Sequence, residues 1–429
     1  MNARISGIRQ SNVAPVLHVP VLNFPPHLAS RVLSARTIER TRIRQAQSKP
    51  IDGKAFSSFW MGGYDGPAGV QAPTTSPDSY SRLLEFGLRT VRENADWARV
   101  DKPAGHDLRP FEERARMAKG LGMQIIWTLC CRQWPEDLKF LSAGFVERFA
   151  RYAGAVAHRM AEFDPAAVPV FVPVNEISFL AWSLYSRGEL RQADGAHPPL
   201  AEIKRQLVRA SIAASEAILS RVPHARLMHT DPLEHVVAPQ GQSALAARAE
   251  HRTELQFEAW DWIAGRAAKE LGGRARYLDL VGVNYYADNQ WELGSGKRLG
   301  WQLDDQRRLP LSSLLLGAKR RYQRPIVIAE TSHTGIRRGA WIREIATEAR
   351  AARQSGARIE GICLHPLVDQ VDSTSPGKWP SRGLWEVRQE GATKSLALSA
   401  SYAAALRAAQ KTVDREPSAS VLAQPPASV

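Results

Sequence analysis

Two short stretches of this 429-residue chain place an acid where chemistry can use it. Asn175-Glu176 directly follows the apolar run PVFVPV, and Glu330 directly follows PIVIA. A carboxyl group at the end of a buried strand is partly desolvated, and desolvation moves its pKa toward working pH. Two such acids on different strands suggest a facing pair. That arrangement suits glycoside hydrolysis, in which one carboxyl group protonates the leaving oxygen while the other attacks the anomeric carbon or activates water. Either acid alone reads equally well as an ion-paired rim residue, so the joint placement carries the argument.

A facing pair needs a scaffold that brings two strand ends together. Between about residues 55 and 410, short apolar runs alternate with longer amphipathic stretches, the signature of βα units around a parallel sheet. Strands are expected at 57–62, 88–92, 124–129, 169–174, 225–230, 278–283, 325–329 and 361–364. In the helical stretch FVERFARYAGAVAHRMAE, residues Phe145, Phe149, Tyr152, Val156 and Met160 recur at spacings of three and four. Eight strands close a TIM barrel, whose active sites lie at the C-terminal ends of the strands. The expected fold is therefore a single α/β chain, a (β/α)8 barrel over 55–410, with a basic N-terminal extension (1–54) and a disordered C-terminal tail (411–429). The longest insertions follow the fourth, fifth and sixth strands.

Five segments, taken in order, resemble the glycoside hydrolases of family 1 and, more broadly, the retaining barrel glycosidases of the same clan. GLRTVRENADWARV (87–100) keeps Arg92, Trp97 and Arg99, and GMQIIWTLCCRQWPEDL (122–138) keeps Gly122, Thr128, Leu129 and Pro135. VPVNEISFLAW (172–182) carries the paired Asn-Glu, YLDLVGVNYYAD (277–288) the sixth-strand GxNYY pattern, and PIVIAETS (325–332) the seventh-strand acid. The resemblance implies that Glu330 is a nucleophile held by Arg92 and Tyr286, and that Glu176 is the acid/base. Glu176 would be protonated at rest through burial and repulsion from Glu330. It further implies that Asn175 bonds the sugar hydroxyl beside the anomeric carbon and that Asn284 lines the same subsite.

The departures from that family all concern sugar recognition. Cys131, Arg132 and Gln133 stand where it carries His-Trp-Asp, and the Gln of its first-strand loop has no counterpart in register, Asp65 and Gln71 being the nearest. In the eighth segment, His365 and Asp372 stand where it places a Trp and a sugar-binding Glu, and Ser373 where a second Trp is usual. Buried hydrogen-bonding groups discriminate strongly between sugars, so their replacement implies a glycone other than plain glucose. Cys131, Arg132, His365 and Asp372 are the candidate glycone contacts, and an Arg can hold an anionic substituent bidentately. The plainer reading pairs Arg132 with Glu93 or Asp137 at the rim.

Other features suggest less. In HTDPLEH, His229 and Asp231 form a His-x-Asp pair that could ligate a metal, but no well-placed third ligand is evident, and with His235 they are expected on the aglycone side. Trp260, Trp262, Trp291 and Trp301 are either sugar platforms or the core of an insertion. No glycine-rich phosphate loop follows a strand, and no metal or cofactor is expected. The three cysteines fit neither a zinc knuckle nor a disulfide framework and read as reduced thiols. No run of about 18 apolar residues occurs and no secretory signal opens the chain, so no transmembrane segment and a cytoplasmic location are expected.

The formal charge of +14 raises a polyanion as partner. Half of that charge, however, sits in residues 1–54, where nine basic residues face two acidic ones without interleaved aromatics. A solvated extension that partly wraps the domain is the expectation there, over an arm for a polyanion or membrane surface and over an organellar transit peptide. No nucleic acid is expected, and no oligomeric state follows. The expected function is a retaining β-glycosidase acting on a small glycoside or oligosaccharide. A transglycosidase using a non-water acceptor and a non-catalytic carbohydrate-binding barrel are the alternatives.

Overall fold

Eight parallel strands close into a barrel, and their order around it is their order in the chain. They are β1 (Trp60–Gly63), β2 (Thr90–Asn94), β3 (Gln124–Cys130), β4 (Val170–Val174), β5 (Arg226–Pro232), β6 (Leu280–Asn284), β7 (Ile326–Thr331) and β8 (Ile359–Leu364). Each overlaps one of the expected strands. The computed structural model describes residues 55–64, 77–102, 105–192, 195–302, 305–370, 379–390 and 393–414. The extension 1–54, the residues Asp65, Gln71, Asp372 and Ser373, and the tail beyond 414 lie outside the described residues.

The larger helices outside the barrel include α1 (Pro77–Leu84), α2 (Arg109–Gly120), α3 (Ala143–Phe163), α4 (Ile177–Ser186), α5 (Leu200–Arg221), α6 (Glu258–Ile263), α7 (Leu311–Tyr322), α8 (Arg338–Gln354) and α9 (Ala400–Asp414). Helix α3 shows why the sequence folds this way. Ser142 caps it, its hydroxyl accepting from the Phe145 N–H at 3.2 Å. The stripe of Phe145, Phe149, Tyr152, Val156 and Met160 is buried, with Trp97 wedged against Phe145 and Phe149 at centroid distances of 5.2 and 4.7 Å. The expected tail begins at Lys411, but α9 continues to Asp414 because Val413 is buried in the core. No helix among the described residues is long and apolar enough to cross a membrane.

The barrel interior is solid. Met61, Ile126, Val170, Val172, Met228, Leu280, Val327, Ala329 and Cys363 form its apolar filling, and Ala55 and Phe56 join that cluster. At the N-terminal ends of β5 and β6, Arg226 donates two hydrogen bonds to Asp279, and the Ala55 carbonyl accepts from Gln124 at 2.9 Å. These contacts tie the N-terminal strand ends together beneath the filling. Gly282 faces the filling: a Cβ there would lie 2.5 Å from Thr230 Cγ2, so only glycine lets β5 and β6 pack as they do.

Candidate active site

Simple strand alternation would not aim both acids into the barrel; local irregularities do so. On β4, Val170 and Val172 belong to the inner filling, yet Val174 packs with the outer core. The alternation skips at Pro173, and Asn175 turns inward. On β7, Val327 and Ala329 face in and Ile328 faces out, and register shifts then occur against both neighbouring strands. Thr331 points outward, its hydroxyl accepting from the Trp341 indole at 2.8 Å. Glu330 therefore turns inward, as a bulge permits.

Arg92 organises the inner rim. It is fully buried on β2, donating to Thr128 at 2.9 Å, the Ala329 carbonyl at 3.3 Å, Glu330 Oε1 at 2.8 Å and Asn175 Oδ1 at 2.7 Å. Glu330 also accepts from Asn175 Nδ2 at 3.2 Å and from the Tyr286 hydroxyl at 2.9 Å. Burial, reinforced by the Glu330 charge, pushes the Tyr286 phenol well above its ordinary range, so it stays a donor. His365 joins the group, its Nδ1 lying 3.5 Å from Glu330 Oε2 and 3.4 Å from the Tyr286 oxygen.

Glu176 has a different environment. Among the described residues, its one hydrogen bond from a side chain comes from Asn284 Nδ2 at 2.9 Å. Burial, then the Glu330 charge, pushes its carboxyl from 4.5 up to about 8, against the opposing effects of the Asn284 bond and the Arg92 cation. Its backbone is left-handed, with φ 49° and ψ 59°, a conformation that disfavours a side chain by roughly 1–2 kcal/mol. The turn is held by the Glu176 N–H to the Thr230 carbonyl at 3.1 Å and by the Leu180 N–H to the Glu176 carbonyl at 2.7 Å. Thus one carboxylate is ringed by donors and a second carboxyl retains a proton near neutral pH. The first can attack or stabilise a cationic centre, and the second can give and take a proton.

Of the residues expected at the site, Arg92, Asn175, Glu176, Asn284, Tyr286, Glu330 and His365 fall into this connected group. Asn284 Oδ1 is fully buried and has no hydrogen-bond partner among the described residues. Cys131 is partly buried just past β3. Arg132 is drawn to the rim, donating to Glu189 at 2.6 Å and Ser183 at 3.2 Å. It pairs with neither Glu93, which holds Arg114 at 3.0 Å, nor Asp137, which accepts from Arg148 at 2.5 Å.

Trp260, Trp262 and Trp291 are buried core residues of the insertions, and the partly buried Trp301 packs against the core, edge-on to Trp341 at 5.0 Å. His229 faces outward to the Ser211 hydroxyl at 3.3 Å, and no group of three potential metal ligands exists among the described residues. Thr230, which bonds Asn175, and Thr128, which bonds Arg92 and enters the sequence reading only as a matched motif residue, also belong to the group. The period-two pattern of Ile126 with Thr128 and of Met228 with Thr230 would have found both, since a threonine in phase with inward apolar residues near a strand end must face the rim.

No protein-family model matches the sequence, and no curated protein does. Solved structures do resemble it. A family 1 β-glucosidase from Thermotoga maritima superposes with a TM-score of 0.63 at 13% identity, over 78% of this chain and 85% of that one. The β-glycosidase from the hyperthermophile Thermosphaera aggregans gives 0.62 at 16% identity, over 78% and 84%. The AHE enzyme from Alicyclobacillus herbarius gives 0.64 at 16% identity, over 78% and 86%. The chain therefore shares its fold with the barrels of family 1 β-glycosidases.

Proposed function

We propose that this protein is a retaining β-glycosidase, with Glu330 as nucleophile and Glu176 as acid/base. The observation that carries the reading is the contrast between the two carboxyls: Glu330 ringed by Arg92, Asn175 and Tyr286, and Glu176 holding its proton up to about pH 8. In the first step the Glu330 oxygen bonds the anomeric carbon as the glycosidic bond breaks, and Glu176 gives its proton to the leaving oxygen. In the second, Glu176 takes a proton from water as that water attacks the anomeric carbon and frees Glu330. No cofactor enters these steps. The likeness of fold to family 1 β-glucosidases supports the reaction class.

The glycone contacts support a sugar other than plain glucose. His365 places an imidazole beside Glu330 and Tyr286, Asn284 offers its unpaired oxygen, and Arg132 is occupied by Glu189 rather than extended toward the carboxyl pair. Cys131, just past β3, is the remaining proposed glycone contact among the described residues. The test is a panel of aryl β-glycosides that includes uronic and phosphorylated sugars, followed by trapping with a 2-fluoro derivative of the best glycone. A stable adduct on Glu330, located by mass spectrometry, is the expected result. Turnover that is unchanged in Glu330→Gln overturns the assignment, and proton NMR of the first-formed anomer checks retention.

A further inference from the structure

Asp231 is a buried carboxyl that the two-step reaction does not use. It follows Thr230 on β5 but faces away from the barrel lumen, toward the start of α4. It accepts from the Ser178 N–H at 3.0 Å and from the Ser178 hydroxyl at 2.5 Å. Helix α4 begins at Ile177, and the residue before it, Glu176, makes no side-chain cap. The first amides of a helix need acceptors, which the preceding side chain normally supplies. Here the acceptor comes from a different strand. The residue that would have capped the helix is left free to face the site.

We infer that Asp231 is a positioning residue for Glu176: strand β5 grips the β4-to-α4 turn on both sides of the acid, through the Thr230 carbonyl to the Glu176 N–H and through the Asp231 carboxyl to Ser178. The inference rests on reading Glu176 as the acid/base and adds to it how that acid is held. Thr230 extends the grip with a hydrogen bond to Asn175 at 2.7 Å. The left-handed turn at Glu176 persists only because its surroundings over-determine it. Asp231 supplies part of that determination through the two groups of Ser178 that donate to it, the N–H and the hydroxyl.

The same carboxyl acts on Glu176 electrostatically. Its negative charge is among the influences that raise the Glu176 pKa, behind burial and Glu330, and the Arg92 cation opposes it. Burial pushes Asp231 itself from 3.8 up to about 7, opposed by Lys204 from α5 and the bonds from Ser178, with Glu234 adding in the raising direction. Lys204 is in turn tied to Glu258 at 2.8 Å. Above neutral pH, Asp231 is therefore a second charge that keeps the proton on Glu176.

The experiment compares wild type, Asp231→Asn, Asp231→Ala and Glu176→Gln on aryl β-glycosides of graded leaving-group acidity, with melting temperatures as the check on folding. Asn keeps an acceptor for the Ser178 N–H and loses the charge, so the alkaline limb of kcat/KM should move down by roughly half a unit to one unit. Asp231→Ala loses the grip as well and should slow poor leaving groups by roughly tenfold or more while sparing dinitrophenyl glycosides, which need little acid. A lowered melting temperature with an unmoved limb and unchanged leaving-group dependence would overturn the inference. If Glu176→Gln hydrolyses poor leaving groups as well as wild type, the acid/base reading is at fault instead. In that event the Glu176 carboxyl is titrated directly by carbon-13 NMR. A midpoint lowered in Asp231→Asn upholds the coupling, and one that stays in place overturns it.

Discussion

Replacing Glu176 with glutamine should make the protein more stable in alkaline solution while removing its acid chemistry. Glutamine is isosteric and keeps an oxygen for the Asn284 bond, so the change is chiefly one of charge. The carboxyl is raised from 4.5 to about 8 in the folded protein, first by burial and then by Glu330. A group whose folded pKa lies above its unfolded value contributes its stability fully below the unfolded value. That contribution is lost as pH rises through the folded one. At about 1.36 kcal/mol per unit the full rise corresponds to about 5 kcal/mol, and partial solvent access to this side chain reduces it to something on the order of 3 kcal/mol. The wild type should therefore match Glu176→Gln near pH 4 and fall behind it progressively between pH 4.5 and 8. Thermal melts of both proteins across that range read the gap, which should reach roughly 3 °C or more at pH 8. In parallel, the variant should lose roughly 10²- to 10⁴-fold in kcat on poor leaving groups. A stability gap that is flat with pH would refute the reasoning, since it would mean that Glu176 does not carry a displaced proton.

Arg92→Met should destabilise the fold by about 3–5 kcal/mol in urea unfolding and abolish turnover, because it leaves the buried Glu330 carboxylate without its cation. Tyr286→Phe removes one donor from Glu330 and should lower kcat/KM by roughly 10- to 100-fold with little change in melting temperature. Gly282→Ala forces a Cβ toward Thr230 Cγ2 and should cost about 1–3 kcal/mol in chemical denaturation. Because Thr230 also bonds Asn175, the same substitution should lower kcat, a joint effect that an alanine elsewhere on the barrel wall would not give.

Much of this arrangement was legible in the sequence because barrel strands are continuous apolar runs and a polar residue ending such a run has few places to go. Glu176 and Glu330 stand at two of those ends, and both face the rim. What the runs do not encode is which way the last residue turns. Strict alternation from Ala329 would aim Thr331 inward, and only pairing with β6 and β8 makes the shift that turns Glu330 instead. The partner of Arg132 was equally hidden, since Glu189 lies 57 positions away beyond α4 and no local spacing ties them. The tryptophans of the insertions were ambiguous for a related reason. Whether an indole forms a wall or a core depends on what covers it, and Trp260 is covered by Tyr322 of α7 at 5.9 Å.

Among the described residues, the apolar filling and the Arg226–Asp279 pair occupy the barrel below the carboxyl pair, which leaves the C-terminal strand ends as its side of approach. A ligand that reaches the pair from that side would leave by the same side. In the proposed reaction, a leaving group released beside Glu176 would block the water that has to follow, so geometry as well as chemistry would put the two half-reactions in sequence. Slow departure of a bulky first product would hold the sugar on Glu330 and favour any acceptor that tolerates the crowding. The balance between hydrolysis and transfer to another alcohol would then be set at the mouth, by what diffuses out fastest, while the carboxyl pair stays the same.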